Sequence, residues 1–475
     1  MTRPAQIAVV GGGIGGLVAA GLLARSGARV TLYEQEPRLG GKAQQLVAGS
    51  TVLDTGPTLL TMPGLVRETF AALDAEPLLP RFVTLSPQCE YRWEDGTGFV
   101  AHPDTARTRE SVEAMSPGEG RGVESFYGAA AAIHRAAGEP YLEAPFEGVA
   151  GFFGRVIRRG PSAVLQGMQM STLHALAARH FRTARMQQFV GRFATYTGAS
   201  PYEASAAFAL IPHLEKVEGV HHVEGGMGAL VAALEQAVRR LGVDVRLGTR
   251  GAWKQAGSRW RVGPVGDEGP VDAVVVNADP LGASGVSAGP LAMSGYVLLL
   301  EAGVRSRLLH HTVAFSRDYR REFEEIFSGR VPFDPSVYVC HPVASDPGMA
   351  TPGTSGLFVM ANVPAMGEAF LPHVEALRAR CLSVVEALDP SLRGKLRVLG
   401  ERTPVDFQRQ GAPGGSLYGF LPHGRFGPFR RPRSHAAPGL VYAGGGTHPG
   451  GGVPMVMLSG RFAAMQVSAD LEARA

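Results

Sequence analysis

Residues Gln6–Val10 are a short apolar run rich in β-formers, and Gly11-Gly12-Gly13-Ile14-Gly15-Gly16 follows at once. The pattern then predicts a helix over Leu17–Arg25, a second strand over Arg29–Tyr33, and an acid, Glu34, at its end. Strand, glycine turn, helix, strand and acid together are the opening unit of a doubly wound nucleotide-binding sheet. Gly11 lets the chain turn tightly, Gly13 lets the backbone approach a pyrophosphate, and Gly16 lets the helix pack close on the sheet. The helix that starts beside Gly15 presents unpaired N–H groups to phosphate. Glu34 lies 18 residues past Gly16, near the separation of about 20 at which an acid accepts ribose hydroxyls. An acid there repels a 2′-phosphate, which argues against NADP.

A second glycine pair, Gly40-Gly41-Lys42, follows within the run Glu36–Ala43, and Asp54-Thr55-Gly56-Pro57-Thr58 comes soon after. A nicotinamide dehydrogenase has no need of this second pair. An extended FAD does, because its pyrophosphate and ribityl chain lie along it. Arg38 and Lys42 read either as part of that bed or as solvated loop charge. The chain closes on a similar plan: a strand over Gly439–Ala443, a glycine-rich loop from Gly444 through Gly452 to Pro454, and a helix from about Met455 to Val467. Between these ends, Glu224-Gly225-Gly226-Met227-Gly228 opens a helix over Ala229–Leu241. A strand over Val243–Leu247, a hairpin over Trp253–Val262 and a buried strand over Val271–Val276 come next.

These signals predict an α/β protein whose Rossmann-type FAD-binding domain is formed by both chain ends, over residues 1–75, 216–285 and 435–475. It is interrupted by a mainly helical lobe, 101–215, and by a mixed α/β substrate domain, 76–100 plus 286–434. A chain of 475 residues with 45% apolar and 19% charged residues has the balance of a globular protein with a large core. The net charge of +4 comes from 46 cations, only four of them Lys, without a basic run or interleaved aromatics, so nucleic-acid binding is disfavoured. Three distant Cys exclude a disulfide framework. The opening residues do not read as a secretory signal, and the uncharged stretch Pro280–Leu300 holds too many Pro and Gly to span a membrane.

The paired ends resemble the carotenoid desaturases related to bacterial phytoene desaturase, within the larger amine-oxidase-like flavoprotein group. The residues that carry the resemblance are Gly11–Gly16, Gly40-Gly41-Lys42, Asp54–Thr58, Glu224–Met227 and the tail Gly446-Thr447-His448-Pro449-Gly450. Asp54–Met62, Gly191–Tyr196 and Ala443–Met455 are most similar to the 1-hydroxycarotenoid 3,4-desaturases of methoxyneurosporene type. The resemblance implies FAD as cofactor, held by Gly11, Gly13, Gly15, Gly16, Glu34, Gly41, Lys42, Gly56, Pro57 and Thr58. At the other end it implies Gly446, Thr447, Gly452, Val453 and Pro454. The tail departs from the superfamily's Gly-Asp ending, since Thr447-His448 stands there, and no carboxylate is assigned to the ribityl chain. The implied activity is desaturation at C-3,4 of an acyclic 1-hydroxy or methoxy carotenoid, with phytoene desaturation or a non-redox cis–trans isomerisation as alternatives.

Desaturation needs apolar walls more than acids. Phe189, Phe193, Tyr196, Tyr202 and Phe208 are candidates for such a wall, with ordinary helix core as the competing reading. His448 is a candidate proton acceptor, or a residue that only orients the flavin. His221, His222 and Glu224 have no partners at metal-ligand spacing, so no metal is expected. A lipid-dissolved substrate implies cytoplasmic protein held peripherally at the inner face of the membrane. The stretch Pro145–Arg159 suits that contact: Phe152, Phe153, Val156 and Ile157 form one apolar face beside Arg155, Arg158 and Arg159.

Overall fold

A computed structural model describes residues 3–146, 148–159, 171–283, 289–424 and 426–474. Residues 160–170 of the expected helical lobe, 284–288 of the Pro280–Leu300 stretch and Glu147 within Pro145–Arg159 lie outside the described residues. A six-stranded sheet is centred on Gln6–Val10, which pairs in parallel with Arg29–Tyr33 on one side and Ala273–Val276 on the other. Asp244–Arg246 and Leu440–Tyr442 extend it in parallel, and His435–Ala437 closes one edge antiparallel. The parallel strand Ala-Val-Val-Val at 273–276 is buried on both faces, as its unbroken apolar run requires.

The two faces of the sheet are read off by alternation. Ile7 and Val9 pack with the helices Ile14–Arg25, Met227–Arg240 and Val453–Glu472, while Ala8 and Val10 pack with Trp260 and Val262. Trp260 and Val262 belong to a small three-stranded sheet, Ala252–Ala256, Arg259–Gly263 and Gly269–Val271, of which the expected hairpin forms two strands. The first and last helices cross where a Cβ on Gly460 would meet the Gly15 carbonyl oxygen at 2.3 Å. Backbone contact of that closeness holds the two ends of the chain against each other.

A seven-stranded sheet forms the second layer, in the order Leu396–Arg402, Ser294–Ala302, Ser355–Val363, Val337–Cys340, His311–Ala314, Cys89–Arg92 and Gly98–Ala101. One face carries Leu298, Leu300, Val337, Val339, Leu357 and Val359 against the helix Val374–Leu388. The remaining helices, among them Gly120–Ile133, Leu173–His180, Ala184–Gly191 and Leu210–Glu218, build a lobe on the strands Cys89–Arg92 and Gly98–Ala101. A buried cation fixes this lobe. The Arg192 guanidinium donates to the Tyr91 and Tyr196 hydroxyls at 2.8 Å each, and Tyr196 donates to Glu215 at 2.6 Å.

The helix Val149–Arg158 corrects the expectation of an outward apolar face. Phe152 and Val156 turn inward and pack with Ala136, Phe146 and Phe429. Phe153 is half-buried against the same group, and Ile157 alone of the four is exposed. Arg155 donates to the Pro140 carbonyl at 2.9 Å and Arg159 pairs with Glu139, which leaves Arg158 facing outward. The helix closes its own lobe because a ten-residue amphipathic segment gains more from ring-on-ring packing than from a solvent-facing apolar stripe. Among the described residues, no helix is long and apolar enough to cross a membrane.

Candidate active site

The carboxyl ends of the parallel strands, both glycine-rich loops and the helical lobe enclose one cavity of about 850 Å³. Ligands bind at this end of an open α/β sheet because strand ends and helix starts converge there. Gly11, Gly13, Gly15, Glu34, Gly41, Lys42, Gly56, Pro57, Thr58, Gly446, Gly452, Val453 and Pro454 all line it. Residues separated by more than four hundred positions therefore share one wall. Gly16 and Thr447 stand behind that wall. A Cβ on Gly16 would lie 2.1 Å from the Gly11 carbonyl oxygen, so its role is to close the turn. Thr447 is buried and donates its hydroxyl to the Pro432 carbonyl at 2.7 Å.

Two helices begin at the cavity with bare N-termini. Ile14–Arg25 follows Gly13 and Val453–Glu472 follows Gly452, and neither has a side-chain cap or an acid in its first turn. Their free N–H groups and dipoles leave room and charge for an anion. Backbone approach is guarded on the protein side: a Cβ on Gly13 would meet the Asn277 amide at 2.7 Å, and one on Gly15 the Val456 carbonyl oxygen at 3.0 Å. Gly40 bonds back to the first loop, its N–H donating to the Gly12 carbonyl at 2.9 Å, so the second glycine pair lies beside the first.

Glu34 is buried at the far end of this bed. Its carboxylate accepts from the Gly12 N–H at 2.6 Å and the Glu36 N–H at 2.9 Å, and burial raises its pKa above the ordinary value. Lys42 is not solvated loop charge. Its ammonium donates to the Leu417 carbonyl at 2.6 Å, and burial lowers its pKa to about 8, with Asp279 opposing and Arg402 and Arg431 adding to the fall. Arg431 also lines the cavity and donates to the Gly445 carbonyl at 2.7 Å. Two buried cations, two bare helix N-termini and an acid at the end of the second strand fit an extended dinucleotide such as FAD. The glycines leave the width that it needs.

Asp54 anchors this bed from behind. Its carboxylate accepts from the Met227 N–H at 2.9 and 3.0 Å and from the Gln45 amide at 3.0 Å, capping the helix that Gly225-Gly226 introduces. Burial is the largest influence on it and raises its pKa to about 6.

The cavity continues from the bed into the helical lobe. Of the expected aromatic wall, Tyr196 and Phe208 line it. Phe189 and Phe193 are buried in the lobe's core against Tyr91, Phe99 and Tyr196. Tyr202 packs under the Arg320 guanidinium, 4.0 Å from its ring centre. Lining aromatics missed by pattern include Tyr141, Phe315, Tyr319, Tyr338, Phe358 and Phe429, contributed by separate elements. A helical period cannot find them, since no one helix carries them.

His448 is packed behind the loop. Phe462 and Phe146 stack on its ring, Tyr141 meets it edge-on, and Nε2 is 3.2 Å from the Ala144 carbonyl oxygen. Its neighbours Pro449 and Gly450 line the cavity and its ring does not. Burial lowers its pKa to about 3. His221 and His222 serve structure locally. His221 lies 3.2 Å from the Thr84 hydroxyl and 2.8 Å from the Glu218 carbonyl oxygen, and His222 pairs with Asp346 at 3.1 Å. The pair His310-His311 carried no sequence signal beyond adjacency, yet both rings are buried close to the cavity wall.

Residues 14–468 match the model of the flavin containing amine oxidoreductase family. The hydroxyneurosporene desaturase of Cereibacter sphaeroides is 33% identical, over 99% of this chain and 98% of its own. The phytoene dehydrogenase of Streptomyces griseus is 32% identical, over 99% and 96%. Among solved structures, the cyclohexylamine oxidase of Brevibacterium oxydans covers 99% of this chain and 100% of its own, with a TM-score of 0.63 at 15% identity, a likeness of fold. With a cradle of matching shape and charge, these relations show that the chain belongs to the flavin containing amine oxidoreductases, in their carotenoid desaturase branch, and is an FAD-dependent oxidoreductase.

Proposed function

We propose that the protein desaturates an acyclic carotenoid, at C-3,4 of a 1-hydroxy or methoxy compound. The observation that carries this reading is the continuity of the cavity: one space joins the dinucleotide bed to walls of Tyr196, Phe208, Phe315, Tyr319 and Phe358. Bound FAD supplies the hydride acceptor. The chain's own residues supply confinement. Aromatic and aliphatic walls hold a long apolar molecule in register and keep water from charge that develops along it. Gly56-Pro57-Thr58 form the part of the bed where the glycine-rich wall meets the aromatic one. The hydroxyneurosporene desaturase relative supports a hydroxylated substrate, and the phytoene dehydrogenase relative supports phytoene as the competing substrate.

Loading of such a substrate favours peripheral attachment to a membrane. Phe153 and Phe426 line the cavity on the side of the helix Val149–Arg158, where Val149, Ile157 and Phe426 are exposed at 43%, 62% and 44%. Arg158 adds a cation beside them, suited to anionic headgroups. Expression in cells that accumulate different carotenoid precursors, with mass analysis of the pigments, tests the function. Loss of two mass units from 1-hydroxy compounds is the expected result. Efficient conversion of phytoene with none of the hydroxylated compounds moves the protein to the other substrate class, and products of unchanged mass make it an isomerase.

A further inference from the structure

Three polar side chains run from the cavity into the core in unbroken hydrogen-bond contact. Thr58 and Tyr338 both line the cavity, and their hydroxyls are 2.7 Å apart. The Tyr338 hydroxyl lies 2.8 Å from His311 Nδ1. Behind them the rings of His311 and His310 are 4.6 Å apart at their centres, and those of His310 and His222 are 4.9 Å apart. His222 then meets the Asp346 carboxylate at 3.1 Å. His311 Nε2 and both nitrogens of His310 are buried without a hydrogen-bond partner in the protein. Buried polar atoms are normally satisfied, so a row of orphaned imidazole nitrogens calls for water or a proton to pass between them.

We infer that Thr58, Tyr338 and His311 are the proton-accepting site of this oxidoreductase, with Tyr338 meeting the substrate and His311 acting through it. The inference rests on the desaturase reading given above. Desaturation takes two hydrogens from adjacent carbons. One leaves with its bonding pair to oxidised FAD. The other leaves as a proton, and its bonding pair becomes the new π bond. The Tyr338 oxygen receives that proton while its own passes to His311 Nδ1, so the phenol ends neutral and the imidazole ends as imidazolium. A carbon next to one that has lost hydride is strongly acidic, and a neutral phenol backed by an imidazole is base enough.

The surroundings keep His311 ready. Burial, Arg192 and His222 lower its pKa to about 3, so the ring rests neutral with a lone pair toward the phenol, and the acidity of the carbon beside the one that has lost hydride drives the proton onto it. The groups that face it are Tyr338, His310, His222, Cys340 and the Arg192–Glu215 pair. Tyr338 is the catalytic residue of this set, and Thr58 and His311 are positioning residues. His448 is packed between Phe146 and Phe462 and does not itself line the cavity.

The test compares the holoenzyme with Tyr338→Phe, His311→Gln and Thr58→Val, each checked for FAD content and melting. Flavin reduction in a single turnover is expected to slow by about 10²–10⁴-fold in Tyr338→Phe, the range for a lost acid–base group. A solvent isotope effect on that step in the wild type is expected to vanish in the same variant, which a packing role would not produce. Nitrogen NMR of ¹⁵N-histidine-labelled resting protein reads the site without turnover. His311 Nδ1 is expected as an unprotonated, hydrogen-bonded nitrogen whose resonance moves in Tyr338→Phe. A wild-type rate in folded, FAD-loaded Tyr338→Phe overturns the inference. A protonated Nδ1 in the resting enzyme overturns it even if the variants fail to fold. One equivalent of tightly held transition metal also overturns it, because the ligand atoms of His310, His311 and Cys340 lie within 4.8 Å of one another and would then be occupied. If the wild type desaturates no carotenoid, the function reading fails instead, and the NMR result still stands on its own.

Discussion

Gly56→Ala isolates what a single methyl group does to the cofactor bed. An ideal Cβ at Gly56 would lie 2.0 Å from the Lys42 carbonyl oxygen and 3.0 Å from its carbonyl carbon. Both are backbone atoms, so no side chain can rotate away. Relief requires the Gly40–Lys42 and Asp54–Thr58 segments to part by roughly 1 Å, the gap between that approach and an ordinary contact of about 3–3.4 Å. Overpacking of this kind costs about 1–3 kcal/mol. The clash is present with or without FAD and so lowers folding stability, and because both segments line the cavity, a bed whose return to its FAD-binding shape costs about 2 kcal/mol binds FAD roughly 30-fold more weakly. The assay is flavin content by absorbance after dialysis against micromolar FAD, together with melting followed by flavin release. Gly64→Ala is the control. Gly64 sits in the first turn of the helix Pro63–Ala72 with nothing within 4 Å of its Cβ, so the substitution is expected to be neutral or to stabilise by up to about 1 kcal/mol. Full flavin occupancy and unchanged melting in Gly56→Ala would refute the steric account of this glycine.

Asp54→Ala leaves the Met227 N–H unsatisfied and is expected to destabilise by about 1–3 kcal/mol in denaturant titration. Asp54 also has a raised folded-state pKa of about 6 against an ordinary 3.8, so its contribution is fully present below about pH 4 and is lost as pH rises through 6. Asp54→Asn is expected to flatten the fall in melting temperature across that window, and an unchanged slope assigns it elsewhere. Arg192→Met strands Glu215 inside the lobe and is expected to cost about 3–5 kcal/mol, whereas Arg192→Met with Glu215→Leu recovers much of the loss. Additive costs in that pair of variants would mean that the two side chains are not coupled. Ile157→Ser with Arg158→Glu is expected to reduce flotation with anionic liposomes while the flavin stays bound, and undiminished flotation places the membrane contact on another surface.

The two chain ends were legible without coordinates. Gly11–Gly16, Glu34, Gly40-Gly41 and the Gly444–Pro454 loop specify their own backbone. Glycine at a strand–helix turn answers a local steric demand, and local demands are written in contiguous residues. The parallel strands read equally well, because Ala273–Val276 and Gln6–Val10 are apolar runs of the right length. Composition and motif together were sufficient for the cofactor class. Tertiary structure alone decided which side chains share the cavity. Lys42 read either as part of the cofactor bed or as loop charge, and its ammonium meets the Leu417 carbonyl because a loop 375 residues away comes over it. Phe189 and Phe193 belong to the same aromatic-rich stretch as Tyr196 and Phe208, yet they face the lobe's core, since the rotation of a short helix is set by what packs on it. Phe152 and Val156 had a membrane-like pattern and turned inward onto Phe429, a ring nearly three hundred residues further along. His448 and His311 differ for the same reason. One stands in a glycine-rich loop and the other beside a second imidazole, and the contact that separates them, Tyr338 on His311 and Phe146 with Phe462 on His448, joins segments whose meeting depends on long-range packing.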